Sequence, residues 1–245
     1  YNRQGGRRGD AAAHAPNWWM GMLTKSAGRH QFTATTMFSA DRATVGRSGY
    51  GEIFQVGETL DGRPLIDRQH PHDLFMQLAA AWRVALSETT SVTFAGGPAG
   101  EPALGPPAFM HRPSSAAIAL AALGHHTFDS THISFGVATA AVDHGRWTVE
   151  ASLFNGREPD ENRWDIDLGR MDSVAGRVSV RPTPEWEVQL SSGRLIEPEG
   201  IAHTTLVRTV ASASWLRDSQ DRFSAVAVGY GVNVTDEGSH RAFLG

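Results

Sequence analysis

The chain has 245 residues, a formal net charge of −4 and no cysteine. Its basic residues are spread along the chain, which excludes the basic patch of a nucleic-acid-binding protein, and the lack of cysteine excludes disulfides and thiolate metal sites. No stretch approaches the roughly 18 consecutive apolar residues of a membrane-spanning helix, so a helical membrane protein is excluded as well.

In the first half of the chain, apolar and polar residues alternate with the period of two that is typical of β-strands. The pattern predicts strands near residues 19–25 and across residues 31–38. Residues 73–86 are alanine-rich enough for a helix. However, Leu74, Met76 and Leu78 share the period of two, which favours a strand.

Residues 114–124 have a different pattern. Ser114 can cap a helix, alanine and leucine fill its body, and Gly124 can end it, so a short helix is predicted within a long connection. Its apolar side chains need a packing partner. If the strands of the chain form a barrel, this favours a helix that folds into the lumen of the barrel over one that only covers its rim.

The alternation is clearest in the second half. Strands are predicted at residues 132–142, 147–153, 174–180, 186–191 and 207–215, each with one apolar and one polar face. Residues 223–232 predict a further strand with blurred alternation, and residues 241–244 resemble the beginning of another.

Connection lengths indicate how these strands are arranged. Short turns are predicted at residues 26–28, 87–90, 143–145, 182–185 and 217–221. Each is followed one strand later by a long connection, at residues 40–72, 97–130, 155–171, 196–204 and 235–240. In a meander, this alternation puts all tight turns at one end and all long loops at the other, as in outer-membrane barrels.

Four tryptophans support a membrane interpretation. Trp82, Trp147, Trp186 and Trp215 each lie within a few residues of a short turn, on the apolar face of their strand. This matches the aromatic girdle of a membrane interface. The alternative is the core of a two-sheet sandwich, which explains the alternation but neither the common level of the tryptophans nor the loop asymmetry.

We therefore predict an all-β fold, an up-and-down antiparallel transmembrane β-barrel in the bacterial outer membrane, surrounded by its lipid. Bacterial barrels usually close with an even number of strands, so about 12 or more are expected, with about ten present in this chain. Residues 1–245 form a single barrel domain in this interpretation, with the barrel continuing beyond the C-terminal end.

Eleven histidines make a metal site the main chemical hypothesis. Histidines two residues apart in an extended segment point the same way, and two long connections are expected to meet at one end of the barrel. The candidate ligands are His70, His72, Asp73, His111, His125, His126, Asp129 and His132. Imidazole with carboxylate suits copper, zinc, nickel or iron. Alternatively, these histidines only hydrogen-bond within the loops and brace them.

The polar faces of the strands are expected to line the lumen, with Glu150, Arg177, Arg181, Glu187, Gln189 and Arg208 as the lining residues. Opposite charges can form a paired network that plugs the lumen, or they can line a wet channel. The acidic loop at residues 155–167 can attract cations, although loop carboxylates are usually just solvated.

No catalytic residue is assigned. The sequence has no Gly-x-Ser-x-Gly elbow, and its glycine-rich segments follow no strand-to-helix phosphate pattern. An outer-membrane hydrolase that uses His132 with Ser130 and Asp129 is a minor alternative.

Three motifs carry a resemblance: DRQHPHD at residues 67–73, GEPALGP at residues 100–106 and NGREPDEN at residues 155–162. Together they resemble a family of uncharacterised exported bacterial proteins that are predicted to be outer-membrane β-barrels. The resemblance implies the barrel fold and the location, but no function. A looser similarity in class is to the copper-resistance barrels of the outer membrane, whose Met/His-rich segments have no counterpart here.

The expected function is a porin-like channel or scaffold whose His/Asp-rich extracellular rim binds a transition metal. The expected partners are a metal ion or small solute and another protein of a membrane complex. The alternative is a structural or partner-binding barrel whose histidines only brace the loops.

Overall fold

The computed structural model of the chain describes residues 2–3, 11–115, 125–128, 133–199, 204–219 and 221–244. In chain order its strands are β1 (Asn2–Arg3), β2 (Ala11–Ala12), β3 (Trp19–Ala27), β4 (His30–Phe38), β5 (Tyr50–Leu60), β6 (Arg63–Gln69), β7 (Phe75–Ala85), β8 (Thr90–Gly100), β9 (Ser134–His144), β10 (Trp147–Phe154), β11 (Ser173–Val180), β12 (Trp186–Ile196), β13 (Thr205–Ser219), β14 (Arg222–Thr235) and β15 (Gly238–Leu244). The α-helices are single turns, α1 (Asp41–Thr44) and α2 (His125–Phe128).

Eleven of these strands form one antiparallel sheet in the order β3-β4-β7-β8-β9-β10-β11-β12-β13-β14-β15. Each strand therefore pairs with the strands that precede and follow it in the sheet, which confirms the predicted all-β meander. The sheet is not closed. Among the described residues, β3 pairs only with β4 and β15 only with β14, so the predicted barrel closure is not observed.

The sheet has two unlike faces because alternate side chains of a strand point to opposite sides. Its outer face, defined as the face that carries Trp147, exposes large apolar side chains. These include Leu23, Phe32, Trp82, Phe94, Val142, Val149, Leu153, Val174, Val178, Trp186, Val188, Leu190, Val207, Val226, Val228 and Val234. The inner face carries polar residues, such as the directly paired Glu150 and Arg177. The alternation in the sequence thus predicted both faces correctly.

Several connections differ from the expectations. The long connection at residues 40–72 contains an unpredicted hairpin of β5 and β6, whose turn residues Asp61 and Gly62 both have positive φ. The connection predicted as long at residues 235–240 is a tight turn at Asp236 and Glu237. The strand favoured for residues 73–86 is confirmed as β7. Of the predicted helix at residues 114–124, residues 116–124 lie outside the described part of the chain.

The long connections cover the inner face at the end of the sheet opposite the short turns. Two apolar clusters lie there. One contains Leu104, Val137, Phe154, Ala175, Leu195 and Leu206. The other contains Met37, Met76, Ala99, Ile133 and Phe135. No helix among the described residues is long and apolar enough to cross a membrane.

Candidate functional site

Two histidines lie at the end of the sheet opposite the short turns, which we call the long-loop end. Each of them is held by a carboxylate. His72 follows β6 and precedes β7, and its Nδ1 lies 2.6 Å from Oδ2 of Asp41, the first residue of α1. Both side chains are fully buried, at 2% and 0% exposure. The other carboxylate oxygen of Asp41 accepts the backbone N–H of Asn17 at 2.7 Å. These contacts fix the plane of the His72 imidazole.

The second histidine, His111, lies in the short 3₁₀ turn Phe109–His111 of the connection after β8. Its Nδ1 lies 2.6 Å from Oε1 of Glu101, the residue that follows β8. The second carboxylate oxygen of Glu101 accepts the backbone N–H of Ala108 at 3.4 Å. The 3₁₀ turn therefore folds back over the start of its own connection.

Both imidazoles are left with the same free ring atom. A carboxylate accepts hydrogen bonds, so Nδ1 carries the proton in each ring and the lone pair of the neutral imidazole lies on Nε2. The Nε2 atoms of His72 and His111 are both buried and have no hydrogen-bond partner among the described residues. Buried polar atoms usually have one, so these two atoms need an explanation.

His72 and His111 line the same small cavity of about 10 Å³. Its wall also contains the side chains of Met37 from β4, Met76 from β7 and Met110 from the 3₁₀ turn. The volume corresponds to about one water-sized particle. We call this group of three methionines and two histidines the Met/His pocket.

The carboxylates behind the histidines are ionised at neutral pH. Burial alone raises the pKa of Asp41, but the hydrogen bonds from His72 and from Asn17 outweigh it, and the pKa lies below its ordinary value. The pKa of Glu101 is lowered in the same way, with His111 as the main stabilising partner against burial. In return, the hydrogen bond to Glu101 raises the pKa of His111 above its ordinary value, against the effect of burial.

The other predicted metal ligands do not join this pair. His70 Nδ1 is 3.0 Å from the carbonyl oxygen of Pro71, to which it donates. Asp73 is buried and accepts a hydrogen bond from Nη1 of Arg163 at 3.1 Å, so it forms an ion pair. Asp129 and His132 lie outside the described residues, as do the side chains of His125 and His126.

A set of carboxylates comes together in the acidic loop. Among the described residues, Asp160, Asp165 and Asp167 form the only group of three histidine or acidic ligands within 4.8 Å of one another. Burial and the neighbouring carboxylates raise the pKa of Asp167. Asp160 and Asp165 are exposed to solvent, which agrees with the expectation of a solvated loop.

The predicted lumen residues all lie on the inner face or at its end, but they pair between neighbouring strands and not across a lumen. Arg177 Nε lies 2.6 Å from Glu150 Oε2, and Arg181 Nε lies 2.9 Å from Glu187 Oε2. Gln189 Nε2 donates to Ser212 Oγ at 3.0 Å, and Arg208 Nε donates to Asn233 Oδ1 at 2.9 Å. The reason is register, because directly opposite residues are closer than residues across a sheet.

The connection after β8 lies across this inner face. The backbone N–H of Ala103 donates to Ser152 Oγ at 2.7 Å, and that of Gly105 donates to Ser191 Oγ at 2.8 Å. Arg177 Nη1 donates to the carbonyl oxygen of Gly105 at 2.9 Å. Inward folding was expected for residues 114–124. In the described structure the preceding segment of the same connection covers the inner face, and the turn Pro113–Ser115 and α2, which flank the undescribed residues 116–124, both pack against β14.

The four girdle tryptophans all lie on the outer face near the short turns. Trp186 is the register partner of Trp215, and Trp82 lies between Phe32 and Phe94 on the neighbouring strands. Trp82, Trp147 and Trp186 are exposed, Trp147 by 54%, whereas Trp215 is half-buried. They form a row of aromatic side chains along the short-turn end of the sheet, at different register positions, since Trp82 aligns through Phe94 and Ala140 with Ala151, four residues from Trp147.

Sequence reasoning missed five residues of the site, namely Met37, Met76, Met110, Asp41 and Glu101. The Met110-His111 dipeptide and the position of Met76 four residues after His72 were the available local signals. Neither signal indicates a ligand by itself, because methionine commonly fills gaps in hydrophobic cores. The chain matches no protein family, no curated protein and no solved structure.

Proposed function

We propose that this chain forms the wall of an integral outer-membrane β-barrel that acts as a scaffold with a largely occluded lumen and that binds a transition-metal ion at its long-loop rim. The observation that carries the membrane part is the contrast between the two faces of the sheet. The outer face is a continuous band of exposed Val, Leu, Phe and Trp side chains, while the inner face holds ion pairs and hydrogen bonds.

A band of this kind supports a surface that is covered by lipid or by another protein. The largest apolar patch of a soluble monomer is usually about 300–600 Å², whereas here the apolar side chains run across most strands of the sheet. Strands β7, β8, β9 and β12 have 11 residues each, which suits the roughly 9–11 residues of a tilted membrane strand. The tryptophan row near the short turns fits an interfacial girdle.

The open edges of the sheet support closure in the membrane. Backbone N–H and C=O groups cannot be left unpaired in the hydrocarbon core, since no water is present to bond them. β3 and β15 are the two edge strands of the sheet, and their free edges would carry such unpaired backbone groups. We therefore propose that these two edges are paired in the membrane, either with each other or through further strands.

A scaffold is favoured over an open porin-like channel by the loops on the inner face. The segment at residues 101–107 is bonded to β10, β11 and β12. This segment narrows the passage at the long-loop end. Small solutes can pass only through the space that remains.

The metal part of the proposal rests on His72 and His111. If these histidines only braced the loops, the bonds to Asp41 and Glu101 would be enough, and the two buried Nε2 atoms would have no role. A histidine that binds a metal commonly donates its other N–H to a carboxylate. Both histidines have this arrangement.

The membrane proposal can be tested with single-tryptophan variants in liposomes that contain brominated lipid. In one variant only Trp147 is kept, and in the matched control only Trp164, which lies in the loop at residues 155–172 and is also exposed; the other tryptophans become Phe. We expect strong quenching for Trp147 and little for Trp164. Equal quenching, or a protein that stays monodisperse in buffer without detergent, would refute the proposal.

A further inference from the structure

We infer that the Met/His pocket is a binding site for a soft monovalent d¹⁰ cation, Cu(I), for which Ag(I) is a redox-inert substitute. The inference deepens the proposed metal binding at the barrel rim by naming the ion and its ligands. Its residues are Met37, Met76, Met110, His72 and His111. It does not depend on how the sheet closes.

The histidines supply the first ligands. Each presents a buried Nε2 with no partner in the described part of the chain, and each has its Nδ1 at 2.6 Å from a carboxylate oxygen that accepts its proton. This second bond fixes the tautomer and orientation and raises the basicity of the ligand atom. The two rings come from connections that are about 40 residues apart in the chain, so local hydrogen bonding within one loop does not explain why they share a cavity.

The methionines decide the class of ion. Three of the six methionines of the chain line this one cavity, although they come from two strands and a 3₁₀ turn. Thioether sulfur is a soft, uncharged ligand that selects Cu(I). Zinc sites use cysteine, histidine and carboxylate, while calcium requires several oxygen ligands and magnesium needs octahedral coordination and keeps several of its waters.

The ligand type and the size of the pocket agree with a small, soft ion. Its ligand atoms are neutral, and the negative charge of the two carboxylates lies behind the histidines. The cavity has room for about one water-sized particle, so an ion has to enter without its hydration shell. Strongly hydrated divalent ions resist this step.

Packing alone does not account for the composition of the pocket. Met37 and Met76 also belong to an apolar cluster, and leucine would fill such a cluster equally well because Leu and Met have similar volumes. Leucine would not, however, supply sulfur to the cavity that the two imidazoles also line. This difference makes the inference testable by a substitution that conserves volume.

The test uses the full chain refolded in detergent and labelled with ¹³C at the methionine methyl groups. Ag(I) is added to one equivalent, and Cu(I) affinity is measured anaerobically by competition with a chromophoric chelator. We expect the methyl signals of Met37, Met76 and Met110 to shift, while those of Met20, Met22 and Met171 stay in place. The triple variant M37L/M76L/M110L should bind Cu(I) at least tenfold more weakly.

The matched control is M22L/M171L, which removes two methionines outside the pocket, one of them 70% exposed, and should bind as the parent does. His111→Gln should also weaken Cu(I) binding. Zn(II) at the same concentration should leave the methionine signals of the parent unchanged.

The inference is overturned if the pocket methionines do not shift, if Zn(II) moves their signals equally, or if the triple variant binds Cu(I) normally. Lipid quenching of Trp147 without Cu(I) binding would refute this inference and leave the membrane proposal standing. Cu(I) binding without lipid quenching of Trp147 would refute only the membrane proposal.

Discussion

His72 Nδ1 and Asp41 Oδ2 lie 2.6 Å apart although the two residues are separated by 31 positions in the sequence. The hairpin of β5 and β6 lies between them in the chain and returns the chain to α1. Gly49 permits this return, since its φ is 65° and a Cβ atom there would lie 1.8 Å from the carbonyl oxygen of Gln69. A structural device that was not predicted thus brings together the most buried pair of the candidate site.

Asp41→Asn should weaken metal binding without removing any ligand. The asparagine can present its amide N–H to Nδ1, which moves the imidazole proton to Nε2 and blocks the ligand atom of His72. We expect the affinity for Ag(I) to fall by about 10–100-fold, the usual effect of losing such a partner. Isothermal titration in detergent measures it, with Asp165→Asn in the exposed loop as the control. Equal affinities of the two variants would contradict the assigned role of Asp41.

The pKa of His111 should be raised as long as Glu101 is present. A histidine whose pKa is raised on folding contributes stability that is complete below the ordinary value of about 6.5 and is lost as pH rises through the raised value. The lowered pKa of Glu101 contributes stability above its ordinary value, lost as pH falls through the lowered one. NMR titration of the ¹⁵N-labelled imidazole in the metal-free protein should show a pKa above that of a model peptide, and Glu101→Gln should reduce it. An unchanged pKa in Glu101→Gln would show that the two groups are not coupled.

Asp73→Ala should strongly destabilise the long-loop end. Asp73 and Arg163 are 2% and 3% exposed and form an ion pair at 3.1 Å, and breaking a buried pair by removing one partner costs about 3–5 kcal/mol. Urea unfolding in detergent gives the free energy of unfolding, and Asp160→Ala is the exposed control. Combining Asp73→Ala with Arg163→Met should recover part of the loss. Additive effects of the two changes would mean that the pair is not coupled.

Leu190→Arg and Leu168→Arg separate a membrane protein from a soluble one. Both leucines are exposed, by 58% and 67%, but Leu190 lies in the middle of β12 on the outer face and Leu168 lies in the loop at residues 155–172. In a membrane, arginine at position 190 should cost about 2–4 kcal/mol, while the loop variant should cost almost nothing. Refolding yield and unfolding free energy in liposomes measure the difference. Two equally harmless substitutions would argue for a water-solvated face.

If the sheet closes into the proposed barrel, Arg177→Met should widen the passage through it. Arg177 bonds both Glu150 and the carbonyl oxygen of Gly105, so its loss loosens the segment at residues 101–107, which then keeps only the bonds from Ala103 and Gly105 among those described above. Single-channel conductance in planar bilayers should rise above that of the parent. Arg181→Met, which breaks only the exposed pair with Glu187, serves as the control. No change in either variant would mean that this segment does not limit the passage.

The strands and the sides of the sheet were predictable because alternation is a local property. A residue such as Leu190 lies on the outer face because its neighbours Gln189 and Ser191 are polar. A register shift of β12 by one residue would move both polar side chains to the apolar outer face. The same logic identified β7 despite its alanine content. The hairpin of β5 and β6 was missed because it lies inside a connection and not in the meander.

The sequence by itself therefore determined the all-β meander, its two unlike faces and the residues of the polar face, since these follow from the period of two within each strand. Only the tertiary structure decided which loop residues meet. His72 and His111 were among eight candidate ligands, but they are 39 positions apart, and Met37 and Asp41 lie more than 30 positions before His72. These residues come together through the folding of the connections onto the inner face. Which loop residues meet depends on long-range packing, and the alternation of residues within one strand does not predict it.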